Sequence, residues 1–103
     1  MGDRVFVAGT APIMPADADP PSEPYEQMRR CLEIVGTALA EAGGALDDVV
    51  RTRVYLTDAA HVSDVMRAHG EAFAAARPAC TAIVCGLLDL RWHCELEVEA
   101  VLR

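Results

Sequence analysis

The sequence predicts a single α+β domain, one sheet with two helices on the same side. Three observations predict it. The chain closes on Trp92-His93-Cys94-Glu95-Leu96-Glu97-Val98-Glu99-Ala100-Val101-Leu102-Arg103, where alternate residues are apolar over most of the run, as in a strand with two unlike faces. Two stretches, Ser22 to Gly43 and Asp58 to Ala76, carry apolar residues at helical spacing along one side only. The elements follow one another as strand, loop, helix, strand, helix, strand, strand, an order that seats both helices on one face of the sheet. At 103 residues the chain is one domain, 1–103, large enough to bury roughly two-thirds of its unfolded surface.

Taken in order, Arg4-Val5-Phe6-Val7-Ala8-Gly9 is a short β-branched strand, and Gly9 permits a turn or a close backbone approach. Pro12, Pro15, Pro20 and Pro21 make the next segment a loop, with at most an edge strand near Ile13-Met14. Ser22 is the expected N-cap of helix one, Pro24 lies in its first turn and Gly43-Gly44 stops it. Met28, Cys31, Leu32, Val35, Ala38, Leu39 and Ala42 form its apolar side.

The run from Asp47 to Asp58 reads as a strand with Val50, Thr52, Val54 and Leu56 on one face and Arg51, Arg53 and Tyr55 on the other. Helix two is expected from the Asp58 cap to Ala76, burying Val62, Val65, Met66, His69 and Phe73, with Pro78 ending it. Ala79-Cys80-Thr81-Ala82-Ile83-Val84-Cys85-Gly86 is small and apolar on both faces, which suits a strand buried on both sides. Two helices cover only one face of such a sheet, so composition predicts that the other face meets a second subunit.

That other face holds the chemistry. On the last strand it presents His93, Glu95, Glu97 and Glu99, with carboxylates about 6–7 Å apart, a costly row unless something positive or wet lies over it. The strand bearing Arg51 and Arg53 is the natural partner, each opposite-charge pair contributing about 0.2–1 kcal/mol. Arg51 and Arg53 are therefore candidates both for neutralising the Glu row and for holding an anionic ligand. Tyr55 and Trp92 can stack on a planar ligand or pack in the core.

Sixteen Asp/Glu against nine Arg, no Lys and no basic run argue against nucleic acid as partner, and the lack of Lys removes Lys Schiff-base chemistry. Cys31, Cys80, Cys85 and Cys94 form no CxxC pair and read as thiols rather than a disulfide set. His61, His69 and His93 do not form a metal set, since His61 and His69, eight apart on a helix, lack a third ligand at known spacing, so no metal is expected. There is no 18-residue apolar run and no leader pattern at Met1, which predicts a cytoplasmic protein without a membrane span.

Val5-Phe6-Val7-Ala8-Gly9-Thr10-Ala11-Pro12 resembles the opening strand of the Rid family, the reactive intermediate deaminases also called YjgF or L-PSP proteins. Gln27, Arg29, Leu32, Glu33, Leu39 and Ala42-Gly43 are similar to that family's first helix. Asp48-Val49-Val50-Arg51 with Val54-Tyr55-Leu56-Thr57-Asp58, then Phe73 with Pro78-Ala79, and Leu96-Glu97-Val98-Glu99-Ala100 complete the pattern in order. The resemblance implies a chorismate-mutase-like fold, a homotrimer with ligand clefts between subunits, and hydrolysis of 2-imino or enamino acids to keto acids and ammonia without metal or cofactor.

The resemblance transfers the site only in part. The family's carboxylate-binding Arg falls on Cys80, its water-positioning Glu on Glu97, its first-strand Ser on Ala8, its Gln on Thr10 and its helix-one Asn on Ile34. The expected site is thus Glu97 and Cys80 as catalytic groups, with Thr10, Ala8, Tyr55, Arg51 and Arg53 binding substrate. Loss of the Arg leaves a second expectation open, a non-catalytic ligand-binding or regulatory trimer. Ribonuclease activity, a third, is disfavoured by the acidic charge.

Overall fold

The alternation at the end of the chain sorts the molecule into two sides. In the computed structural model, which describes residues 3–103, the strand β4 (Cys94–Val101) buries Cys94, Leu96, Val98 and Ala100 almost completely and leaves Glu95, Glu97 and Glu99 partly exposed. Over the buried row lie two helices, α1 (Pro24–Glu41) and α2 (Val62–Ala72). Met28, Cys31, Leu32, Val35 and Leu39 of α1 and Val65 and Ala68 of α2 close the core with Phe73.

Three further strands, β1 (Arg4–Thr10), β2 (Val49–Leu56) and β3 (Ala79–Val84), complete one sheet in the order β1-β4-β2-β3. β4 runs antiparallel to both neighbours, whereas β3 runs parallel to β2, the two being joined across α2 as a βαβ unit. The expected charge partners are adjacent, Arg53 opposite Glu97 and Arg51 opposite Glu99.

Several expectations are corrected. Val50 is 43% exposed and Val49 takes its place in the core, because the register of β2 against β4 slips between Val49 and Arg51. The N-cap position of α1 is Glu23, not Ser22, and no side chain caps it; Pro24 at the first turn has no N–H to satisfy. Asp58 does accept from the Ala60 N–H at 2.8 Å, but it caps a short 3-10 turn, Ala59–His61, before α2. α2 stops at Ala72 rather than Ala76, and residues 73–76 turn towards Arg77, whose φ of 51° is incompatible with a continuing helix. Val62, at the first residue of this shorter helix, is 40% exposed.

No strand forms at Ile13-Met14, where a 3-10 turn, Pro15–Asp17, follows instead. At the other end of α1, Gly43 adopts φ 90° and the Gly44 N–H returns to the Leu39 carbonyl at 2.8 Å, the left-handed termination that its position predicted.

β3 differs most from expectation. Every residue of Ala79–Val84 is exposed in this chain, because β3 is the edge strand and the helices do not reach over it. Ile83 at 40% and Val84 at 56% exposure, with Phe6 at 53% on the far edge, leave apolar side chains uncovered. Among the described residues no helix is long and apolar enough to cross a membrane.

Candidate functional site

The uncovered face of the sheet gathers most of the expected site residues around Glu97. On the β2 side the Tyr55 hydroxyl donates to Glu97 Oε1 at 2.7 Å, and Arg53 Nη1 lies 3.6 Å from the same oxygen and 3.5 Å from Glu99 Oε1. Alternation along β2 puts Arg51 on this face too, exposed and without an ion pair among the described residues.

On the β1 side the pairing with β4 shifts between Val7 and Thr10, so that the Ala8-Gly9 backbone falls opposite Glu97. Thr10 is half-buried and its hydroxyl donates to the Ala8 carbonyl at 2.9 Å, which holds the irregularity together. A Cβ on Gly9 would stand 2.6 Å from Glu95 Oε2, so a larger residue here has to displace that carboxylate. The close backbone approach expected of this glycine is therefore to a carboxylate of the same face.

Electrostatically the face is an acidic row that is only partly compensated. Of the three carboxylates, Glu97 and Glu99 share the one guanidinium of Arg53, while Glu95 and Arg51 make no ion pair among the described residues; the two pairs, being about one-third exposed, contribute at most about 1 kcal/mol each. The hydrogen bond to Glu97 holds the Tyr55 phenol above its ordinary pKa, because losing the proton would set two anions side by side, and desolvation adds to the effect. Cys85 lies close enough to Tyr55 to act on its ionisation in the same sense.

Cys80 does not join this group within one chain. It pairs with Thr52, whose hydroxyl is buried on the helix side against His69, whereas Glu97 pairs with Arg53. The Cys80 side chain thus leaves the opposite face of the sheet, exposed because β3 is an edge. Trp92 is half-buried just before β4, and His93 is turned away, its Nε2–H donating to the Ser22 carbonyl at 3.2 Å while its ring meets His61 edge-on with centroids 4.7 Å apart.

Among the described residues no three His, Cys, Asp or Glu side chains are grouped to hold a metal. A groove of about 350 Å³ between α1 and α2, walled by Arg29, Leu32, Glu33 and Glu71, contains none of the expected site residues. Two members of the open face were not foreseen, Cys85 and the Gly9–Glu95 contact. Continuing the alternation of Thr81 and Ile83 by one step identifies Cys85; the Gly9–Glu95 contact depends on a bulge, which leaves no periodic signal.

The profile of the endoribonuclease L-PSP family matches residues 1–102, nearly the whole chain. The chain belongs to this family, also called YjgF. An uncharacterized protein of Streptomyces coelicolor is 40% identical over 100 residues, covering 96% of this chain and 75% of its own length. A RutC family protein of Pyrococcus abyssi is 34% identical over 101 residues, covering 97% and 80%. Among solved structures, Rv2704 of Mycobacterium tuberculosis, a member of the YjgF/YER057c/UK114 family, superposes with a TM-score of 0.88 at 33% identity, covering 99% of this chain and 81% of its own. Yeast Mmf1 gives 0.91 at 25% identity, covering 100% and 82%. The two-helix, four-stranded architecture is thus that of the YjgF family, as the resemblance implied.

Proposed function

We propose that this YjgF-family chain binds a small molecule against the open face of its sheet, in a cleft completed by a second copy, and hydrolyses a reactive imine or enamine there. The observation that carries the reading is the position of Glu97. The residue matching the family's water-positioning carboxylate stands half-exposed on the uncovered face, with Arg51, Arg53 and Tyr55 across from it on β2 and the Ala8-Gly9 backbone on its other side.

In this reaction water adds to the carbon of the C=N bond while the π pair moves to nitrogen, giving a carbinolamine. The C–N bond then breaks, nitrogen leaves as ammonia and the water oxygen remains as the keto oxygen. Glu97 orients the water, takes up one of its protons and passes it to the nitrogen, and the carbinolamine hydroxyl proton follows by the same route as ammonia leaves, so the carboxylate is regenerated. Arg53 is already committed to Glu97 and Glu99, so Arg51 is the cation left for a substrate carboxylate. The exposed β3 edge and its apolar side chains support a homotrimer built through this region, with Cys80 then facing the neighbouring copy's part of the cleft.

A second reading, a trimer that binds ligand without turning it over, is favoured by one observation, the thiol of Cys80 where the family pattern has a guanidinium. The test mixes the purified protein with 2-iminobutanoate generated in situ and follows ammonia release. Acceleration over buffer that drops by about 100-fold or more in Glu97→Gln is the expected result. No acceleration by the wild-type protein, with 2-iminobutanoate still retained on equilibrium binding, leaves the second reading. Light scattering is expected to give the mass of three chains, and a single-chain mass removes the cleft. RNA incubated with the protein is expected to stay intact, in keeping with a chain that has 16 acidic residues and 9 basic ones.

A further inference from the structure

Both polar contacts made to Glu97 by β2 go to the same oxygen. The Tyr55 hydroxyl donates to Oε1 at 2.7 Å and Arg53 Nη1 comes nearest at the same oxygen, 3.6 Å away, while Oε2 has no hydrogen-bond partner among the described residues. A carboxylate held at one oxygen by a rigid phenol has its plane and its free lone pairs fixed. Tyr55 is well suited to this, since its ring is half-buried in β2 and carries few rotatable bonds.

We propose that Tyr55 is a positioning residue rather than a ligand contact: with Arg53 it holds Oε1 of Glu97 so that Oε2 alone is presented to the attacking water. This rests on the hydrolase reading and deepens it. The other charged or titratable groups on this face are consistent with it. Glu95 faces the Gly9 backbone, Glu99 shares Arg53, Cys85 lies beyond the Tyr55 ring, and β1 brings only the Ala8-Gly9 backbone opposite Glu97. The raised ionisation of the Tyr55 phenol is the reciprocal sign of the same contact.

Two measurements test it. The chain has only two tyrosines, so in a Tyr25→Phe background the ¹³Cζ signal reports Tyr55 alone. Its ionisation is expected above that of an ordinary tyrosine and is expected to fall towards the ordinary value when Glu97→Gln is added. A Tyr55 titration indifferent to Glu97→Gln overturns the latch. In steady-state imine hydrolysis, Tyr55→Phe is expected to lower kcat about tenfold and to leave KM within about twofold. A rise in KM with kcat unchanged makes Tyr55 a ligand contact and also overturns it. Absence of hydrolysis by the wild-type protein overturns the hydrolase reading alone, because the titration uses no substrate.

Discussion

Thr52 Oγ1 and His69 Nε2 meet at 2.8 Å in the buried interior, joining the strand that carries the open-face arginines to the helix behind it. A hydroxyl both donates and accepts, so it satisfies the ring nitrogen in either tautomer. Thr52→Val keeps the shape and removes the partner. It is expected to destabilise the fold by about 1–3 kcal/mol in urea unfolding, the cost of an orphaned buried polar group.

The same pair predicts an acid dependence. Burial lowers the pKa of His69 in the folded chain, so on acidification the unfolded chain takes up the proton first. Its contribution to stability is complete above the unfolded value of about 6.5 and is lost as pH falls through and below it. The thermal midpoint is expected to fall between about pH 7.5 and about pH 5.5, and to fall less steeply in His69→Gln. Equal slopes in the two proteins contradict the assignment.

Gln27 is a buried clamp between the start of α1 and the segment before β4. Its Nε2 donates to the Pro21 and Arg91 carbonyls at 2.8 and 2.9 Å, and its Oε1 accepts from the His93 N–H at 2.7 Å. Gln27→Leu fills similar space and strands three backbone groups, for an expected loss of roughly 2–4 kcal/mol in chemical denaturation.

Arg91 bridges Asp89, Asp17 and Asp19 at 2.8–3.2 Å, tying the proline-rich loop to the segment before β4. Its hydrogen bond to Asp89 holds that carboxyl below its ordinary range. Arg91→Gln is expected to speed amide hydrogen exchange in residues 13–22 and to leave exchange in α1 and β4 unchanged, because the ion pairs are at the surface and the core does not depend on them.

The four thiols divide by location. Cys31 and Cys94 face each other across the α1–β4 interface with no exposure, and their contact together with burial pushes the Cys31 thiol up. Cys80 and Cys85 are exposed and half-exposed. An aromatic disulfide reagent is expected to modify Cys80 and Cys85 in the native protein and all four cysteines after denaturation. Native labelling of Cys31 places that contact wrongly.

Period and charge in the sequence determined much of this molecule. Alternation in Cys94–Val101 marked its buried row residue by residue, the helical spacing marked Met28, Cys31, Leu32, Val35 and Leu39, and the Arg and Glu rows announced that β2 and β4 are neighbours. These are local patterns, each written within one element and enforced by the cost of wetting an apolar side chain or stacking like charges.

Tertiary structure decided what no local pattern encodes. The register slips at Val49/Arg51 and Val7/Thr10 exchange which residue faces inward and place the Ala8-Gly9 backbone beside Glu97. Strand order made β3 an edge, and its register against β2 put Cys80 on the face opposite Glu97. Gln27 is a bridge only because folding brings Arg91 and His93, more than 60 residues away, to its amide. Each of these depends on pairing between distant segments, whose geometry follows from the closure of the whole sheet over its helices rather than from the spacing of residues along any one of them.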